Sequence, residues 1–146
     1  MRILELEQKL VAIMHHTHPL AQRPELRMRD CVNYPVVLPE ADIEGRQLLD
    51  RFMARSSLKL RPVVESNSFE FMRGYLYYEQ AISFQIAIGA VTDGGKLVYR
   101  EIADRGFLRG QLVLASLRNR QLPVIAHAFA EHLIASLAAQ GATNQA

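Results

Sequence analysis

Lys9-Leu10-Val11-Ala12-Ile13-Met14, running into His18-Pro19-Leu20-Ala21, is the stretch that decides how the rest of the chain reads. The run is short, rich in aliphatics and bounded by turn-forming residues, so it reads as a strand. Pro35-Val36-Val37-Leu38-Pro39 is a second run of the same kind. Between Ile43 and Arg55 the period changes. Ile43, Leu48, Leu49, Phe52 and Met53 recur at helical spacing, while Glu44, Arg46, Asp50 and Arg51 take the other faces. Residues 60–65 return as a strand. Asn67, with Glu70 three positions on, predicts an N-cap and box-like partner for a helix through Tyr78, whose buried stripe would be Phe69, Met72 and Leu76.

Ser83 to Ile88 is β-branched and aromatic enough for a buried strand, and Thr92-Asp93-Gly94-Gly95 supplies turn residues before a strand over Leu97 to Ile102. A charged, Gly-containing connector, Asp104 to Gly110, leads to a further strand, Gln111 to Leu117. Pro123 suits the first turn of a helix, where its missing N–H would be unpaired anyway, and Ile125, Phe129, Leu133 and Leu137 give that helix one apolar face. The small, polar tail from Gly141 to Ala146 is expected to fray. Strands alternating with helices define an α/β protein.

The 146 residues are 49% hydrophobic and 22% charged, the balance of a soluble globular protein, enough for one compact unit or two small lobes. Net charge is +2, and its 17 Lys and Arg are spread along the chain, so there is no concentrated electrostatic footprint for nucleic acid. A single cysteine, Cys31, cannot form an internal disulfide and suits a reducing compartment, which points to the cytoplasm. The first eight residues carry Glu5 and Glu7 in place of a basic region and an apolar run, and no stretch approaches the ~20 apolar residues that span a bilayer.

Catalytic and metal chemistry find little support. His15 and His16 would point to opposite sides of an extended chain, and neither a Cys nor a well-spaced carboxylate joins them and His18 as a ligand set. No metal or other cofactor is expected. His127 and Glu131, four apart on a helix, can pair on a solvated face. Gly94-Gly95-Lys96 is followed by Leu97, not by the Ser or Thr and helix that a phosphate loop requires, so a turn is the better reading. There is no Gly-x-Ser-x-Gly elbow and no Cys and His pair with an orienting residue, so the chain does not read as an enzyme. Tyr75 and Tyr78 share one side of their helix, where packing or an interface accounts for them better than ligand stacking.

Taken in order, the first aliphatic strand with His18-Pro19-Leu20-Ala21, the segment Asp30 to Leu38, the Glu65-Ser66-Asn67-Ser68 turn, and Leu122-Pro123 opening a helix through Phe129 resemble the effector-binding domain of LysR-type transcriptional regulators. Each motif is short, but their order and spacing are specific. The resemblance implies a periplasmic-binding-protein-like (type II) α/β fold, entered partway along, with one complete lobe and one partial lobe. Residues 34–108 would be the complete second lobe, with residues 1–33 and 109–146 the remaining part of the first. The family's helix-turn-helix would lie upstream of Met1. The chain departs from the family where Ala81-Ile82-Ser83-Phe84 replaces a Gly-x-Gly-Ile turn.

The resemblance also places the turn before the Phe69 helix at the effector cleft, so Asn67, Ser68 and Phe69 are the expected ligand-binding residues. Unpaired N–H groups and a partial positive charge at a helix N-terminus favour a small anionic metabolite there. Expected partners are that effector and a second copy of the chain in a homo-oligomer; DNA would be reached only through an upstream domain, and no membrane is involved. Two other classes fit the same residues less well: a stand-alone solute-binding protein, and a ligand-free oligomerisation fragment completed by another chain.

Overall fold

The computed structural model describes residues 2–86, 94–104, 109–115 and 121–145. Its elements are β1 (Arg2–His15), a 3-10 turn (Pro19–Gln22), β2 (Glu25–Leu26), α1 (Met28–Cys31), β3 (Pro35–Pro39), α2 (Glu44–Ala54), β4 (Arg61–Ser66), α3 (Phe69–Tyr78), β5 (Ile82–Ile86), β6 (Leu97–Ile102), β7 (Arg109–Ala115) and α4 (Val124–Gln145). The strands run in the order β2-β6-β1-β5-β3-β4, with β7 also paired to β1. Two compact units result: Gln8–Gly110, and Met1–Glu7 with Gln111–Ala146.

In the larger unit, the aliphatic run of β1 lies between β5 and β6, antiparallel to both. Its side chains alternate between two cores, as strand geometry requires. Leu10, Ala12 and Met14 join Val36, Leu38, Ile82 and Phe84 under α2 and the loop segments that carry Leu20, Leu26, Met28 and Cys31. Val11 and Ile13 join Val37 and Leu97 under Met72 and Leu76 of α3. Burial on both faces explains why these strands read as unbroken apolar runs. Residues 8–33 therefore share one core with the segment beginning at residue 34. The two units divide at residues 7/8 and 110/111, because Leu10 to Cys31 pack against β3, β5 and α2.

Strands β3, β4 and β5 are parallel, with β3 in the middle. From β3 the chain crosses through α2 to β4 on one side, then returns through α3 past β3 to β5 on the other. A parallel crossover keeps one hand, so reversing direction puts the two helices on opposite faces. Pro62 sits on β4, an edge strand where a missing N–H is tolerated, and the β3–β4 register shifts beside it between Val36 and Val37.

Several expectations are adjusted by the structure. The cap of α3 is Ser68, whose Oγ accepts from the Phe71 N–H at 3.1 Å, not Asn67. The helix thus begins one residue later than predicted, and Phe69 is turned out to 44% exposure while Met72 and Leu76 fill the stripe. β1 extends back to Arg2. Pro123 lies just before α4 and its carbonyl accepts from the His127 N–H at 2.9 Å, while the helix continues through the predicted frayed tail to Gln145. Gly94 and Gly95 have φ of 78° and 90°, which side chains strongly disfavour, and Leu97 then opens β6, so this is a turn and not a phosphate loop. Thr92 and Asp93, the Ile88 end of the β5 reading, much of the 104–110 connector and Ser116-Leu117 lie outside the described residues.

In the smaller unit, α4 carries the predicted apolar residues without burying them. Ile125 is 84% and Phe129 64% exposed, and Leu133 and Leu137 are half-buried. His127 and Glu131 pair at 3.1 Å as their spacing suggests.

Candidate functional site at the carboxyl ends of β3 and β4

Parallel strands whose outgoing chains diverge to opposite faces leave a crevice at their carboxyl ends, the usual place for ligands in open α/β sheets. Here the Glu40–Ile43 loop leaves β3 toward α2, and the Asn67-Ser68 turn leaves β4 toward α3 on the other face. The two are joined at their base, where the Glu40 N–H donates to the Ser66 carbonyl at 3.1 Å. Ser66 Oγ accepts from the Ser68 N–H at 3.0 Å and folds the turn, and Ser68 Oγ then caps α3. Asn67 is exposed at the tip. The ring of Phe69 stands in the open beside it, with Phe71 also 54% exposed.

The sequence-predicted residues Asn67, Ser68 and Phe69 are thus brought together on one turn, but with divided roles: Ser68 spends its hydroxyl as an acceptor on the helix, and Asn67, relieved of capping, is left exposed. Glu40, Asp42, Glu65 and Glu70 are also exposed on these loops and strand ends, so the edge is more acidic than the helix termini alone suggest. Arg46, on the first turn of α2, is set among them. Its side chain is only 14% exposed; it donates from Nη1 to the Pro39 carbonyl at 2.9 Å and from Nε to Asp50 Oδ1 at 3.0 Å, and Nη1 lies 3.3 Å from Glu65 Oε1. Burial works against its charge, but the Asp50 and Glu65 carboxylates outweigh that and raise its pKa further. The four-residue spacing of Arg46 and Asp50 is visible in the sequence; the tie to Glu65 and Pro39 depends on the sheet.

The other reactive side chains lie elsewhere. His18 is 2% exposed, its Nδ1 accepts from the Leu20 N–H at 3.1 Å, and its ring meets Tyr34 edge-on at 4.6 Å. Burial lowers its pKa from the ordinary 6.5. The rings of His15 and His16 lie 4.3 Å apart instead of on opposite sides, because the strand ends at His15 and its alternation stops there. No cluster of three or more metal-ligating side chains occurs among the described residues. Cys31 is buried, and burial, with Asp30 and Asp104 adding to it, pushes its thiol up to about 12, so it is a packing residue and not a nucleophile. Tyr75 and Tyr77 pack on the core, with Lys96 Nζ 5.7 Å from the Tyr77 ring centre, and Tyr78 is exposed. No described helix is long and apolar enough to cross a membrane.

Comparison with known proteins agrees with this architecture. The family model of the LysR substrate binding domain matches residues 3–138, and the chain belongs to that family. It is 26% identical over 133 residues to the HTH-type transcriptional activator CmpR of Synechocystis sp., covering 89% of this chain and 43% of that protein. Among solved structures, the CcmR regulatory domain of Synechocystis in complex with 2-PG aligns with TM-score 0.71 at 22% identity, over 90% of this chain and 64% of that one. The effector binding domain of QuiR in complex with shikimate aligns with TM-score 0.68 at 21% identity, over 86% and 59%. The fold is therefore the α/β, periplasmic-binding-protein-like fold of LysR effector-binding domains. This chain spans less than half the length of the regulator it matches.

Proposed function

We propose that this chain is the effector-sensing part of a LysR-type transcriptional regulator, acting in the cytoplasm as a homo-oligomer and catalysing no reaction. Residues 34–108, which lie in its larger unit, are the family's second lobe and supply one wall of the effector site, with Asn67, Ser68 and Phe69 in contact with the ligand. The observation that carries this reading is the crevice between the β3 and β4 ends, with the start of α3 and an exposed phenylalanine at its lip. A helix start offers N–H donors and partial positive charge, which favour an anionic group on the ligand. The exposed carboxylates of Glu40, Asp42 and Glu70 favour hydroxyl or amino donors elsewhere on it. The effector is accordingly a small polar metabolite that combines an acidic group with such donors. DNA contact belongs to a separate domain of the regulator, since the dispersed charge of this chain offers no groove-reading element.

Titrating isotopically labelled protein with a panel of small hydroxy acids, shikimate among them, tests the reading by amide shift mapping. Saturable perturbations at residues 40–43 and 65–71 are expected. Perturbations that consistently avoid residues 65–71 would put the site elsewhere.

A further inference from the structure

We infer that Arg46 is a positioning residue for this crevice: it holds the ends of β3 and β4 together and masks the Glu65 carboxylate beside the Ser66–Ser68 turn, so that the turn can accept an anion. The inference rests on the proposed site and adds a residue that does not itself touch the ligand. One guanidinium reaches three different elements, donating to the last carbonyl of β3, pairing with Asp50 along α2 and lying 3.3 Å from Glu65 on β4. Glu65 directly precedes Ser66, whose hydroxyl and carbonyl shape both sides of the crevice. Without Arg46 the Pro39 carbonyl would lose its side-chain donor, and an unmasked carboxylate would stand three residues from the Ser68 cap. Lysine could supply the charge but not the fork that reaches three acceptors at once.

The masking role separates from a merely structural one by its charge logic. Arg46→Gln should weaken binding of shikimate and of inorganic phosphate roughly fivefold, the scale of one like-charge contact at about 4 Å in a water-like dielectric. Adding Glu65→Gln should restore affinity to about twofold of the parent, since the carboxylate to be masked is gone. If Arg46 acted only as a brace, the double variant would bind no better than Arg46→Gln, and that result overturns the inference. Glu65→Gln alone should bind anions at least as well as the parent, and a loss there overturns it too. Should Arg46→Gln fold poorly, Arg46→Met, which keeps the apolar stem without the charge, takes its place, with weaker binding expected and rescue again by Glu65→Gln.

A parent protein that binds neither probe would remove the proposed anion site, while the positioning role is still decided without ligand. Arg46→Gln should move the amide resonances of Glu40 and residues 66–71 and leave those of His18 and Leu20 in place. Unmoved resonances at Glu40 and residues 66–71 overturn it.

Discussion

Helices α3 and α4 invert the usual relation between apolar content and burial. The ten residues of α3 include two charged side chains, Glu70 and Arg73, yet Met72 and Leu76 are sealed against β1, β3 and β6. The longer α4 carries a single formally charged residue, Glu131, and none of its described residues is buried. The difference lies in what each helix covers. α3 is a crossover between two parallel strands and is delivered onto a sheet face by chain geometry, whereas α4 follows β7 in the smaller unit, where no buried core residue is described. An apolar stripe stabilises only where a second surface excludes water from it.

Paired substitutions test that contrast most strongly. Leu76→Ala should cost the larger unit about 2–5 kcal/mol, the range for removing a fully buried leucine side chain, as read by denaturant unfolding. Phe129→Asp should change the same transition by no more than about 0.5 kcal/mol, while reducing self-association in light scattering if α4 is the associating face. Equal losses from both would mean that α4 has a buried partner after all. A smaller effect sharpens the contrast within the site turn: Ser68→Ala should cost about 1 kcal/mol by removing the α3 cap, and the exposed Asn67→Ala a few tenths at most. A larger loss at Asn67 would return the cap to that residue.

The smallest effect concerns the buried turn at His18. Because burial lowers its native pKa, the unfolded chain takes up a proton more readily than the folded one, and stability rises with pH. Its contribution is complete above the unfolded value of 6.5 and is lost as pH falls below that toward the lowered native pKa. A proton on Nδ1 would also displace the Leu20 N–H that this atom accepts. Melting temperatures from pH 7.5 down to 5 should fall less for His18→Asn, which keeps a capping oxygen without the titration. Parallel pH profiles for the two proteins would rule out this linkage.

The amino-acid sequence by itself determined the α/β class, the family resemblance, the strands at residues 35–39 and 97–102, the helix after Ile43, and the place of the turn before α3. These are local properties, written in hydrophobic period, proline and glycine placement, and motif order. The one-residue error at the α3 cap arose because Asn and Ser are nearly equal caps; Ser66 broke the tie by folding the turn one residue further on. Which residues share a core was not legible, since Leu10 to Cys31 meet β3 and α2 only once β1 is inserted between β5 and β6. Nor could the role of Arg46 be read from its spacing to Asp50, because Pro39 and Glu65 become its neighbours through the parallel pairing of β3 and β4. Period and capping act over a few residues and survive in the sequence; strand pairing joins distant ones, and only the folded sheet brings them together.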